Sequence, residues 1–504
     1  MLRIADLSDP DHLNPYLSEL DVTYNIASLV YSFLIVSDAH GRLIGDLATE
    51  VPSLSNGGIS PDGRTYTYHL AHGVTWHDGV PFTSRDVVAS WNAVMDPSHN
   101  ALHREGYDRI ASINTPNDWT IVVHLKERYP PLVTQFFTSL QEGAKPILPA
   151  HILIRDKDFD RGIIATQPIG TGPFRFVSWE RGTRIVLERY DRYFKGQPKL
   201  ERIEFRVIPD PNTILTEMRL HHVDLVMDPQ AVQYEMYRSL RDVTVTRERS
   251  NAQIALIFNV RKPGLNDVAV RRAVASAIDY STLIDKLAHG VAEPAYNTLP
   301  PTALGYIKLP PHRYDPAAAA RLLDAAGWKT GTDDIRTKDS VKLSFTLAAI
   351  TGSATAAHFA VILQQELRAV GIDLAIKDYS PDVVFTPDGP IYKGTYDFAF
   401  YGTTLSWDPS VLSYLGCDQV YPHGENIFGY CNSKLDKLEN AGLQYDNPAK
   451  RVPIYHEASR IIWDTIPYLP LYQYERFTVH SPDLKNFSEN PSATPWWNAY
   501  QWDI

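Results

Sequence analysis

VKLSFTLAAITGSATAAHFAVILQQELRAVGIDLAI, residues 341–376, decides the class of fold. Val341, Leu343, Phe345 and Leu347 alternate with polar neighbours, the two-residue period of a half-buried strand. Phe359, Ile362, Leu363, Leu367 and Val370 then recur at helical spacing, and Gly371 stands where a helix ends in a left-handed cap. Ile372, Leu374 and Ile376 resume the strand period. Strand, helix and strand in succession make a βαβ unit, which implies a parallel sheet with helices on its faces.

Outward from this stretch the chain changes character twice. From 36 to 164 strand alternation dominates. Tyr66, Tyr68 and Leu70 oppose Thr65, Thr67 and His69, and Trp119, Ile121, Val123 and Leu125 repeat the pattern. Between them the spacing predicts a helix from Arg85 to Met95, with Thr83 as N-cap and Asp86 as its capping-box partner. From 165 to 250 more strands follow a Gly-rich turn, and Ile203, Phe205 and Val207 alternate before Pro209 and Pro211 end the pattern. From 251 to 474 the period lengthens to the βαβ pattern.

A chain of 504 residues, 44% hydrophobic and 21% charged, is a folded protein of two or three domains. A net charge of −11 gives no general affinity for nucleic acid or anionic lipid. No apolar run reaches the roughly 20 residues of a membrane span. Asp6, Asp9 and Asp11 stand where a leader would need a basic and an apolar stretch, so a mature domain is expected to begin here. Cys417 and Cys431 are expected to close a loop by a disulfide, worth about 3 kcal/mol, in an exported protein. The alternative is two free thiols.

The motifs that suggest chemistry have structural readings. Trp76-His77-Asp78-Gly79 places a His beside an Asp, but a strand-ending turn explains it. Gly170-Thr171-Gly172-Pro173 lacks the lysine of a phosphate loop, and Pro173 removes a donor, so a tight turn is expected. His221-His222 and the other histidines show no zinc-ligand spacing. No GxSxG nucleophile elbow occurs. No enzyme activity, cofactor or metal site is expected.

Several segments, in order, resemble the peptide/nickel-binding family of bacterial extracellular solute-binding proteins, family 5. They are Leu13-Asn14-Pro15, Thr23-Tyr24-Asn25 and Leu29-Val30-Tyr31, then Ser60 to Tyr68, Gly73 to Gly79 and Phe82 to Val87. Ile169 to Phe174, Asn266 to Ala273 with Ala277-Ile278-Asp279, and Leu322 to Trp328 complete the set. The resemblance implies an α/β, two-lobed periplasmic-binding-protein-like fold of type II, cluster C, with an extra mostly-β domain. Lobe I would comprise 1–35, 165–250 and 475–504, the inserted domain 36–164, and lobe II 251–474. It implies a monomeric receptor of an ABC importer, periplasmic or otherwise extracytoplasmic and in some members lipid-anchored, that encloses a solute between its lobes and delivers it to a membrane permease.

The same resemblance places Tyr24, Asn25, Tyr401, Gly402, Thr403, Leu405, Trp407, Asp408, Trp496 and Trp497 in ligand-facing segments. Peptide-binding members carry an aspartate four residues before the proline of Trp407-Asp408-Pro409, and its carboxylate holds the peptide's α-ammonium. Here that position is Leu405. A buried ammonium without a charged partner costs several kcal/mol. Either Asp408 takes the role, or the ligand has no free amine there, or the loop is shifted by a few residues. A peptide or peptide-derived solute is therefore the first expectation and an oligosaccharide or a sugar or opine conjugate the second, since aromatic faces stack on sugars too. A nickel chelate, or a sensory or chaperone role, ranks below both.

Overall fold

The chain divides into two units, Met1–Ser250 with Arg476–Ile504, and Asn251–Glu475. The structure is a computed structural model and describes residues 1–504 apart from 19, 103, 105, 141–143, 157, 288, 352–353, 380, 385–388, 405–406, 421–424, 489 and 491–495. Residues 36–164 group with the first unit.

The first unit opens with β1 (Leu2–Asp6) and α1 (Asp21–Val30). Next come β2 (Thr65–His69), α2 (Ser84–Met95), β3 (Ile110–Asn117) and β4 (Thr120–Leu125), whose strands form an antiparallel sheet in the order β2-β4-β3. The α2 start is capped as its sequence predicts: the Asp86 carboxylate accepts the Thr83 amide at 2.8 Å, and the Thr83 hydroxyl accepts from Arg85. Trp119 departs from the expected alternation. It lies before β4, 42% exposed and stacked on His72, because the turn before β4 takes it out of the strand.

β5 (Phe174–Glu180), β6 (Arg184–Arg189), β7 (Arg202–Val207), α3 (Pro211–Arg219) and β8 (Leu225–Met227) follow. The main sheet of this unit runs β8-β1-β7-β6-β5. β1 is parallel to both neighbours, with Ile4 opposite Leu225 on one side and Phe205 on the other, and all three side chains are buried. The carboxyl ends of β1 and β8 therefore emerge together.

β9 (Thr244–Phe258) carries the chain into the second unit. There follow α4 (Val268–Ala277), β10 (Ser344–Ile350), α5 (Ala354–Ala369), β11 (Asp373–Tyr379), β12 (Phe398–Thr404), α6 (Leu412–Leu415), α7 (Ser433–Gly442) and α8 (Pro448–Thr465). The sheet here runs β11-β10-β12-β9, with β10 parallel to β11 from Ser344–Asp373 to Ile350–Tyr379, the βαβ unit read from the sequence. Its first strand starts later than the alternation implies. Val341–Lys342 instead pairs with Arg336–Lys338, joined by Asp339 and Ser340 at φ +47° and +65°, the left-handed pair of a tight hairpin. β13 (Tyr468–His480) returns to the first unit, where it pairs antiparallel with β8, Leu225 opposite His480.

The signature segments meet in space. Gly170 and Gly172 lie against the last turn of α1: a Cβ on Gly170 would stand 1.8 Å from the Val30 carbonyl oxygen, and one on Gly172 would stand 2.5 Å from that of Leu29. The Gly172 amide donates to Val30 O at 2.8 Å. His77 joins the same turn, its amide donating to Gly170 O at 2.9 Å while its ring bonds Gly172 O at 3.0 Å and accepts the Gly170 amide at 3.2 Å. Burial pushes the His77 pKa down to about 4, so the ring stays neutral and can accept that amide. In the second unit Asp267 caps α4 through Ala269 and also accepts the Trp328 indole at 3.1 Å. Buried Arg271 donates to the Thr465 and Ile466 carbonyls that end α8.

The Gly170 contact yields a test. Gly170→Ala should lower the stability of the first unit by about 3 kcal/mol or more, since backbone must shift to admit the methyl. Gly182→Ala, with open space around it but φ +68°, should cost only about 1 kcal/mol. Urea unfolding of both variants checks this, and equal losses would mean that the close approach is not the constraint.

Candidate functional site

A concavity of about 370 Å³ opens in the first unit at the carboxyl ends of β1 and β8. In open sheets with parallel strands this is where ligands bind, and the volume suits a small solute. Asp6 and Ser8 reach it from the end of β1, and Asp228 and Gln230 from the end of β8. Asp21 and Asn25, one turn apart on α1, form another wall. Arg476 and Thr478 alternate along β13 onto the same face, and Glu248 and Ser250 do so on β9.

Carboxylates outnumber guanidinium groups here: Asp6, Asp21, Asp228 and Glu248 stand against Arg249 and Arg476. Burial raises the Asp6 pKa and the Asp21 charge raises it further, although Ser8 donates to it from both its amide and its hydroxyl. Burial also raises Asp228; Arg476, 3.8 Å away, draws it back, and Asp21 again pushes it up. Glu248 is raised by desolvation. Each of these acids would gain from an added positive charge. Among the described residues no three His, Cys, Asp or Glu side chains converge as metal ligands.

Of the ligand-facing residues expected in this unit, Asn25 alone lines the concavity. Tyr24 is turned away. It sits one residue, or about 100°, round the helix from Asn25, packs with Phe33, Val36 and Ala144, and donates its hydroxyl to the Ser18 carbonyl. Trp496 is 2% exposed against Phe205 and Trp502, and its indole donates to Asn25 Oδ1 at 2.7 Å. It therefore orients Asn25 from behind. Trp497 donates to Ser488 O at 3.2 Å, and both tryptophans line a second cavity of about 30 Å³, room for a water molecule and no solute.

In the second unit the expected residues follow one another along β12 and beyond it. Tyr401 is half-buried beside Tyr414 and Tyr468, which are hydrogen-bonded to each other. Gly402 pairs with Ile254 and Thr403 with Gln253. Leu405 lies outside the described residues. Trp407 is 9% exposed, and among the described residues its indole N–H has no partner. Asp408 is not available as an amine anchor. Its carboxylate meets the Arg451 guanidinium at 2.8 and 3.0 Å and accepts the Ser410 amide at 3.0 Å, with both charged side chains almost fully buried. Burial opposes the Arg451 charge, but Asp408 outweighs it and holds the guanidinium protonated. Cys417 and Cys431 are joined by a disulfide, with Cα atoms 4.4 Å apart.

Sequence reading missed Asp6, Asp21, Asp228, Glu248, Arg249 and Arg476. A local signal was present for Asp6 alone: Leu2 and Ile4 alternate with Arg3, and Asp6 ends that strand, where a parallel strand delivers its last residue to a binding edge.

The comparisons with known proteins agree in kind. The profile of "Bacterial extracellular solute-binding proteins, family 5 Middle" matches residues 42–419. The oligopeptide-binding protein AppA of Bacillus subtilis is 25% identical over 99% of this chain and 91% of its own length. Among solved structures, NikZ from Campylobacter jejuni in complex with Ni(L-His) superposes with a TM-score of 0.82 at 25% identity, covering 100% of this chain and 99% of that one. AppA from Bacillus subtilis in complex with a nonapeptide gives 0.80 at 24% identity, over 100% and 98%.

The Asp408–Arg451 pair sets an expectation for stability. Asp408→Asn leaves a buried guanidinium without its counter-charge and should destabilise the second unit by about 3–5 kcal/mol. Chemical denaturation followed in that unit measures it, and an unchanged midpoint would show that the pair does not hold the segment.

Proposed function

The chain belongs to the bacterial extracellular solute-binding proteins of family 5, a non-enzymatic class of ABC-transporter receptors, and from that premise we propose that it captures a peptide or peptide-derived solute carrying a cationic group and hands it to a membrane permease. The observation that carries the reading is the concavity of the first unit, where, among the described residues, Asp6, Asp21, Asp228 and Glu248 face Arg249 and Arg476. A free amine or basic side chain entering there pairs with carboxylates that are otherwise held against one another's charge. A neutral sugar adds no counter-charge to them and still bears the cost of their desolvation. Relatives named for oligopeptides lend the solute class further support.

In the second unit Tyr401, Gly402, Thr403, Leu405 and Trp407 remain the proposed contacts. Asp408 adds no net charge to them, because Arg451 cancels it. On this reading recognition of the cation falls to the first unit, the reverse of what the aspartate at the Leu405 position does in peptide-binding members.

Binding should then depend on pH with a definite sign. Asp6 and Asp228 carry raised pKa values, so they lose charge earlier than ordinary carboxylates as pH falls, and affinity for a cation should fall with them. Calorimetry against lysine- and arginine-containing peptides, Nα-acetylated counterparts with acetyl-lysine or citrulline in place of the basic residue, and a panel of neutral oligosaccharides tests the proposal. The cationic peptides should bind best, and Asp228→Asn should weaken them ten- to a hundred-fold, as expected for losing one charge-assisted hydrogen bond. Tight oligosaccharide binding that is indifferent to Asp228→Asn would contradict it.

A further inference from the structure

The segment after β12 is tied down by groups that the proposed binding role does not use. Glu439, on α7, is 1% exposed. Its Oε2 accepts the Ser410 hydroxyl at 3.1 Å and the Val411 amide at 3.0 Å, while its Oε1 has no partner among the described residues. Asp408, at the start of the same segment, is held by Arg451 of α8, and Arg451 also donates to Tyr455 at 3.1 Å. Farther along, the Cys417 amide donates to Asp436 of α7, and the disulfide to Cys431 fixes the segment just before the α7 cap, Asn432. Gly442 permits this arrangement: a Cβ there would stand 2.5 Å from the Tyr455 hydroxyl, so any other residue would force the Tyr455 ring to shift.

Two carboxylates and one guanidinium thus share a buried space. The groups that face Glu439 are Asp408 from the segment, Arg451 and Tyr455 from α8, and Tyr414 from α6. Arg451 already serves Asp408, so a second negative charge on Glu439 would be only partly compensated and would leave one oxygen without a donor. Such a charge is costly to bury, and a neutral carboxyl is the state the site accommodates.

We propose that Glu439 is a proton-linked positioning residue: as a neutral acid it keeps Asp408–Val411 seated on α7 and α8, and its ionisation favours release of that segment. Burial raises the Glu439 pKa from 4.5 to about 8; Asp408 pushes it up while the Ser410 and Val411 bonds and Arg451 pull it down. The sign follows from linkage. The seated state keeps its proton up to about pH 8, whereas a released, hydrated Glu439 loses it near its ordinary value of 4.5. Opening is therefore favoured as pH rises between those values, about tenfold per pH unit, and levels off above the higher one. Through Tyr414, which stands beside both Glu439 and Tyr401, the same event bears on β12. That consequence for solute capture rests on the proposed ligand role of 401–408.

Hydrogen exchange of the Val411 and Ser410 amides in the ligand-free protein, corrected for intrinsic rates, reads the segment itself and requires no solute. A failure here is thereby separable from a failure of the binding assignment. In wild type, Val411 protection should fall roughly a hundred-fold between pH 6 and pH 8 and change little above that. In Glu439→Gln, which keeps the shape and both acceptor contacts but cannot ionise, it should be level across the same range. Amides of the β10–β11 pair should be level in both proteins. A level wild-type profile, or a slope that survives in Glu439→Gln, overturns the proposal. Should the variant not fold, the wild-type profile of Val411 against that of the β10–β11 amides decides in the same way.

Discussion

The close approach of the 170–172 turn to the end of α1 is the constraint on which the first unit depends. Only a hydrogen fits between the Gly170 Cα and the Val30 carbonyl, and the turn is fixed from its other side by the neutral ring of His77. With its C-terminus so clamped, α1 has one orientation. That orientation puts Asp21 and Asn25 on the wall of the concavity and Tyr24 into the core. Trp76 to Gly79, read from the sequence as a turn, is such a support through His77, and Asp21 and Asn25 on the helix it steadies line the concavity.

Charge is distributed unequally over the chain's two candidate surfaces. In the first unit the acids at the ends of β1 and β8 are only partly compensated, which leaves them responsive to a cation. In the second, Asp408, the acid among the expected contacts, is neutralised by a buried arginine and braced by a carboxyl that is most stable uncharged. On the proposed reading a neutral support and a partly compensated acidic wall divide the work of a receptor: the first holds shape and the second favours cations.

Much of the fold was legible because periodicity and capping are local. The βαβ unit around α5 and the capping box of Thr83 and Asp86 follow from residues a few positions apart. The departures also have local causes: a left-handed pair at Asp339 and Ser340 diverts Val341 into a hairpin, and a turn removes Trp119 from β4. The site was far less legible. Asp6, Asp228 and Arg476 share a cavity only because β1, β8 and β13 are neighbours in the sheet, which no short pattern encodes. Asp408 looked available because its partner, Arg451, lies 43 positions away on another element. Trp496, expected in a ligand-facing segment, is buried with its indole on Asn25, a pairing of residues 471 positions apart.

On the proposed reading, positive charge selects the solute at the acidic wall of the first unit. Native mass spectrometry of the intact protein, purified without denaturation, tests it most directly by giving the mass of whatever solute the protein retains. The expected result is a retained peptide or peptide-derived compound with a free amine or basic side chain, lost when Asp228 is replaced by asparagine. A retained neutral oligosaccharide, undiminished in that variant, would contradict it.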